Sequence, residues 1–164
     1  IPCILIGSLS FGEIIRFQED VWIIFYPILG QVSFIIFMIS ALAEGNRIPF
    51  DLSEAESELI SGYTTEYSGI KFALFYLAEY VHLFGICVLG SIIFFGGSNG
   101  PFFSGNIMIV IKALLFFTLI LFIRWSFFRI RIDQLLKFNW IKLIPLSFTG
   151  LLLACIVKYY MDFN

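Results

Sequence analysis

The sequence predicts an all-α integral membrane protein with about four transmembrane helices, an N-terminal helix end and one long acidic loop facing the matrix or cytoplasm. Three observations carry this class. First, 60% of the 164 residues are hydrophobic and only 13% are charged, with a mean hydropathy of +0.96, which excludes an ordinary soluble domain. Second, the apolar residues form runs of membrane-spanning length. In hydrocarbon such runs must be helical, because unpaired backbone groups cannot be left there. Third, the charges are gathered rather than spread. Six of the twelve acidic residues (Glu44, Asp51, Glu54, Glu56, Glu58 and Glu66) fall within residues 43–67, with Arg47 as the only arginine or lysine among them.

The elements follow in order. Residues 1–12 are uncharged but too short to cross a core that needs about 20 residues, so they read as a terminal anchor or the end of a helix. The chain opens on IPCILIGS, without a basic segment ahead of its apolar residues, so no signal peptide is expected. This start resembles the tail of a preceding span, as in a fragment or one half of a split protein. Residues 13–20 are a polar connector. Residues 21–43 are uncharged and predict a first span, bent by Pro27 and Gly30. The acidic loop occupies residues 44–70, and a second span runs from about 72 to 96. The Gly-, Ser- and Asn-rich stretch 96–106 is a turn. A third span runs from about 107 to 123, a basic loop covers 124–142, and a fourth span runs from about 143 to 161. No internal repeat or linker divides the chain, so residues 1–164 read as one transmembrane helical domain.

Counting spans puts the acidic and basic loops on the same side of the membrane. That side holds Arg47, Arg124, Arg129, Arg131, Lys137 and Lys142. The positive-inside rule makes it the matrix or cytoplasmic side, where the two loops can pair electrostatically.

Several charged residues suggest proton handling. Ser53-x-x-Glu56 has the form of a capping box, so a short helix is expected to begin near Ser53. On it Glu54 and Glu58 share a face, where repulsion and burial raise carboxyl pKa values. A solvated acidic loop with ordinary titration is the plainer alternative. Glu79 lies eight residues beyond Lys71, roughly 12 Å along a helix and inside the apolar layer, where acids usually mark ion or proton routes. Tyr76 and His82 share its face. A buried structural acid is the competing reading. Lys112 enters the third span from the opposite side, as a snorkelling lysine would, so a direct pair with Glu79 is not expected. The segment 125–142 is interfacial and amphipathic, with Trp125 and Trp140 at the headgroup level. Asp133 and Lys137 are spaced for a helical pair, and lipid headgroups are natural partners. The net charge of −2 argues against a nucleic-acid partner. Cys3, Cys87 and Cys155 are dispersed and give neither a disulfide framework nor a metal site. No nucleophile–base pair, phosphate loop or metal cluster is apparent.

The stretch AEGNRIPFDLSEAESELISGYTTEY, followed by FALFYLAEY, closely resembles the signature of subunit 1 of respiratory NADH:quinone oxidoreductase, complex I. IRWSFFRIRIDQLLKFNWIKLIPL resembles the later basic loop of the same family. The resemblance covers nearly the whole chain and corresponds to roughly the C-terminal half of the family, so it implies the C-terminal half of a split or truncated subunit. It implies a membrane-arm subunit that forms part of the quinone tunnel, with a carboxylate relay coupling quinone reduction to proton translocation. Relay positions are Glu44, Asp51, Glu54, Glu56, Glu58, Glu66 and Glu79. Tunnel positions are Arg47, Phe50, Arg124, Arg129, Arg131 and Asp133. No metal or cofactor is then expected on this chain. Ubiquinone is the substrate, and FMN and iron–sulfur clusters sit on partner subunits. Implied partners are the N-terminal half as a separate chain, the quinone-site and iron–sulfur subunits of the peripheral arm, neighbouring membrane-arm subunits, and lipids.

The chain departs from the family pattern at Gly45, where Thr is expected and a looser span end would follow, and at Ile48, where a smaller residue is usual. Phe128 stands near an expected Pro, and Ile132 replaces an expected Tyr. The Phe- and Ile-rich composition points to the inner membrane of a mitochondrion, with the bacterial plasma membrane as the alternative. The related subunit of a membrane-bound hydrogenase, a stand-alone proton or ion transporter using Glu79 and Lys112, and a purely structural anchor are the rival readings.

Overall fold

A computed structural model of the chain describes residues 1–45, 47–51, 67–100 and 105–163. All regular structure among these residues is helical. Two short helices, α1 (Pro2–Ile6) and α2 (Phe11–Phe17), precede a 3-10 turn at Ile23–Phe25. The helices α3 (Leu29–Glu44), α4 (Ile70–Phe94) and α5 (Asn106–Ser126) follow. The chain ends in α6 (Ile132–Phe138), a π turn (Asn139–Leu143) and α7 (Ile144–Phe163). Among the described residues three stretches are long and apolar enough to cross a membrane: Ile70–Phe94, Asn106–Ser126 and Ile132–Met161.

The first expected span is shorter than its uncharged run. Its helix begins at Leu29 rather than at residue 21. The Leu29 N–H donates to the Pro27 carbonyl at 2.7 Å across Ile28, whose φ is +63° and ψ −59°, the geometry of a tight γ-turn. The 3-10 turn then folds back onto the start of α3. Gly30 permits this, because a Cβ there would lie 1.9 Å from the Ile23 carbonyl oxygen. Sixteen helical residues reach only about 24 Å, less than the roughly 30 Å of a bilayer core.

The segment expected as a basic loop is also more regular than its sequence suggests. An extended stretch follows α5, but from Ile132 onward the backbone is helical and runs through the π turn directly into α7. Asp133 and Lys137 both lie on α6, yet their charged groups form no ion pair with one another. The short helix expected near Ser53 lies outside the described residues.

α4 and α5 pack as an antiparallel hairpin, with α3 against α4 and with α7 against α1 and α3. The buried core lies among α3, α4 and α5 and includes Met38, Leu42, Leu83, Cys87, Phe116 and Ile120. Phe34 meets the rings of Phe94, Phe95 and Phe116 edge-on, with centroids 5.4 to 5.7 Å apart, the arrangement that aromatic quadrupoles favour. Elsewhere large apolar side chains face outward, including Leu74, Leu115, Phe122 and Leu153. These apolar faces are of the kind that lipid or neighbouring helices cover in a membrane.

The α4–α5 turn end is fixed by two buried polar side chains. The Gln18 amide donates to the Ile14 and Ile92 carbonyls and accepts from the Ile23 and Gly96 N–H groups, which satisfies an amide in an apolar setting. Lys112 Nζ donates to the carbonyls of Phe95, Gly97 and Asn99 and lies 4.8 Å from the Trp22 ring centroid. A cation is thereby placed at the C-terminal, electronegative end of α4. Lys112 is committed to this turn and forms no pair with Glu79, in keeping with their entry from opposite ends.

Candidate functional site

At the other end of the bundle, α3 ends at Glu44 and the chain continues through residues 47–51 without regular structure. One backbone bond ties this segment to the helix end, Arg47 N–H to the Leu42 carbonyl at 3.2 Å, and another closes a turn within it, Phe50 N–H to the Arg47 carbonyl at 2.8 Å. Gly45 is buried, and a Cβ on it would stand 3.0 Å from Leu83 Cδ1 and 3.2 Å from the Ala41 carbonyl oxygen. The glycine thus lets the end of α3 lie close against α4, and α3 stays helical through Glu44 rather than loosening.

This approach carries Arg47 to Glu79 in the third turn of α4. Arg47 Nη2 lies 3.7 Å from Glu79 Oε2, and its guanidinium carbon sits 4.5 Å from the Tyr80 ring centroid. The arginine is buried, while the Glu79 side chain is 34% exposed. At 3.7 Å the attraction is electrostatic, beyond normal hydrogen-bond length. Among the described residues Arg47 Nε and Nη2 are buried without a hydrogen-bond partner. A buried charge with unused donors is costly. The carboxylate and the aromatic face offset part of that cost.

A second pair lies one turn of chain away. Arg129 Nη2 is 3.5 Å from Asp51 Oδ2, and Ile130 N–H donates to the Pro49 carbonyl at 3.1 Å. The loop expected to be basic and the segment after α3 are therefore stitched together by a charge pair and a backbone bond. Phe50 points away from these charges into the core beside Met38 and Leu83.

Arg47, Asp51, Glu79 and Arg129 are thus brought to one end of the bundle. Glu44 is exposed at the end of α3, and Arg131 and Asp133 are exposed at the start of α6, while Arg124 is half-buried in the last turn of α5. Glu54, Glu56, Glu58 and Glu66 lie outside the described residues. His82 is exposed and Tyr76 half-buried, while Glu79 turns to Arg47. Tyr80 was not singled out in the sequence. Its only signal is its place beside Glu79, since the arginine it stacks on comes from another element. Among the described residues no three His, Cys, Asp or Glu side chains gather as metal ligands, and the three cysteines are free.

Apolar helices of spanning length, with an arginine and a carboxylate, Arg47 and Asp51, buried at one end, define a polytopic helical membrane protein with an internal charged site. A family model described as NADH dehydrogenase matches residues 1–155. An NADH-quinone oxidoreductase subunit from Bacillus cytotoxicus is 46% identical over 159 residues, covering 94% of this chain and 47% of the relative. The corresponding proteins of Bacillus thuringiensis and Bacillus cereus are each 45% identical over the same length and coverage. The chain belongs to the NADH dehydrogenase family. It spans about half the length of the curated relatives it matches.

Proposed function

We propose that this chain is part of a membrane-arm subunit of proton-pumping NADH:quinone oxidoreductase. In this reading it lines part of the quinone tunnel and couples quinone reduction to proton translocation. The observation that carries the proposal is Arg47, buried with unused donors between Glu79 and Tyr80. Non-helical backbone at membrane depth is tolerated where it is buried in protein or lines a water-filled cavity, and intramembrane charges mark ion and proton routes.

Reduction of a quinone to a quinol takes up two electrons and two protons. The electrons come from iron–sulfur clusters on partner subunits, fed by NADH through FMN. This chain's share is electrostatic. Negative charge developing on the quinone draws on the buried guanidinium, which weakens its hold on Glu79. Asp51 and the acidic positions 54, 56, 58 and 66 extend the relay. The other half of the subunit, whether on this polypeptide or another, completes the tunnel. Peripheral-arm and membrane-arm subunits are its neighbours. The bacterial relatives favour a bacterial plasma membrane over the mitochondrial inner membrane as its setting.

In the fully assembled complex, Glu79→Gln and Glu58→Gln should each lower quinone-linked NADH oxidation and proton pumping. NADH oxidation by a hydrophilic artificial acceptor should be spared. Undiminished pumping in both variants would remove these residues from the relay.

A further inference from the structure

The segment that closes the candidate site on one side forms, on its other side, a wall of a separate groove of about 580 Å³. Phe127 and Phe128 form that wall. Gln134, Lys137, Phe138 and Lys142 line the opposite one. None of Gln134, Lys137 or Lys142 belongs to the charge pairs described above.

The helical wall is shaped by the π turn. The Ile144 N–H bonds to the Asn139 carbonyl, five residues back. In a regular α-helix, residues five apart point about 140° from one another at 3.6 residues per turn. The wider turn rotates Lys142 back toward Lys137, and both lysines face the same groove. Turns of this kind recur at functional sites.

The position of the groove fits a headgroup. It lies where α5, a spanning helix, ends at Ser126. Trp125 and Trp140, close in sequence to its lining residues, are both strongly exposed, as expected of tryptophans at a membrane–water boundary. The exposed faces of Phe127, Phe128 and Ile141 give an apolar path next to the two cations. The nearest acid on the same helix is Asp133, exposed in its first turn and unpaired with Lys137.

We propose that this groove is a binding site for an anionic phospholipid. Its phosphate lies between Lys137 and Lys142, and an acyl chain runs along Phe127, Phe128 and Phe138. Two cations at the mouth of an apolar channel match a lipid phosphate with its tail, whereas a free phosphate would leave the aromatic wall unused. Because Ile130 and Arg129 tie the same segment to Pro49 and Asp51, a bound lipid also braces the candidate site from behind. The site requires only that the chain spans a membrane and stands independently of the quinone assignment.

The test is photolabelling in native membranes, with the chain kept in its natural assembly. Two probes are compared, phosphatidylglycerol and phosphatidylcholine carrying the same photoactivatable acyl chain, and labelled residues are mapped by peptide mass spectrometry. Residues 127–142 should be labelled roughly tenfold or more in favour of phosphatidylglycerol. The double variant K137Q/K142Q should label equally with both probes, and K137R/K142R should keep the preference. Equal labelling of the unaltered chain by both probes overturns the proposal. So does an unlabelled segment in which a photoreactive residue at position 128 captures a neighbouring polypeptide, which would make the groove a protein interface.

Discussion

Arg47 Nη2 stands 3.7 Å from Glu79 Oε2, joining the segment after α3 to the third turn of α4. Residues 32 positions apart in the chain thus share one charge site. The contact exists because the chain leaves α3 after Glu44 and Gly45 lets the backbone lie against Leu83.

The aromatic side of this site can be separated from its carboxylate side. Tyr80→Leu removes the ring over Arg47 and should cost about 0.5–2 kcal/mol of interaction, read as a lower thermal midpoint of the purified assembly. Tyr80→Phe keeps the face and should melt close to the parent. Arg47→Lys should not substitute for arginine, because a compact ammonium loses the planar stacking. Equal midpoints for the Leu and Phe variants would show that the ring contributes only volume.

Asp51 and Arg129 invite a double-mutant cycle. Asp51→Asn and Arg129→Gln should each destabilise, and the double variant should lose less than the sum of the two. A coupling of about 0.5–3 kcal/mol is expected from thermal or denaturant midpoints in detergent. Simple additivity would mean that the Asp51–Arg129 pair contributes no coupling of its own.

At the far end, Lys112→Met should be among the most damaging single changes. It strips a cation from three carbonyls of the α4–α5 turn and leaves them buried, at about 1–3 kcal/mol for each group left without a partner. Reduced assembly yield and a lower midpoint are the expected readouts. A variant that assembles and melts like the parent would show that water replaces the ammonium.

Gly45→Thr places a Cβ into Leu83 and should cost about 1–3 kcal/mol by overpacking. Combining it with Leu83→Val should recover part of the loss, measured as a partial return of the thermal midpoint. Failure of that rescue would assign the cost to the Ala41 carbonyl instead.

Much of the architecture was legible in the residues, for reasons that can be named. Long uncharged runs locate the helices, because charge is excluded from hydrocarbon. Counting spans puts the acidic and basic loops on one side, and the Asp51–Arg129 pair follows from that. Other features lie beyond local pattern. Pro27 announces a bend, but the length lost from the first span depends on Ile23 folding back onto Gly30, a contact between elements. Helical spacing pairs Glu79 with Tyr76 and His82. Arg47, a partner of Glu79, arrives from another segment, which periodicity within one helix does not report. Lys112 looks like a snorkelling lysine because its carbonyl partners have no side-chain signature. The continuous helix after residue 131 was masked by a density of charge that reads as loop.

The shortness of α3 has an electrical consequence. A membrane potential falls across the insulating layer, and each elementary charge carried through 100 mV is worth about 2.3 kcal/mol. Where the ends of a helix of about 24 Å are hydrated, the same voltage drops over a shorter path. The local field is then steeper than beside α4 or α5. A charge shifted by a given distance near Arg47 and Glu79 crosses a larger fraction of the voltage. The energy of moving it becomes correspondingly sensitive to how strongly the membrane is energised.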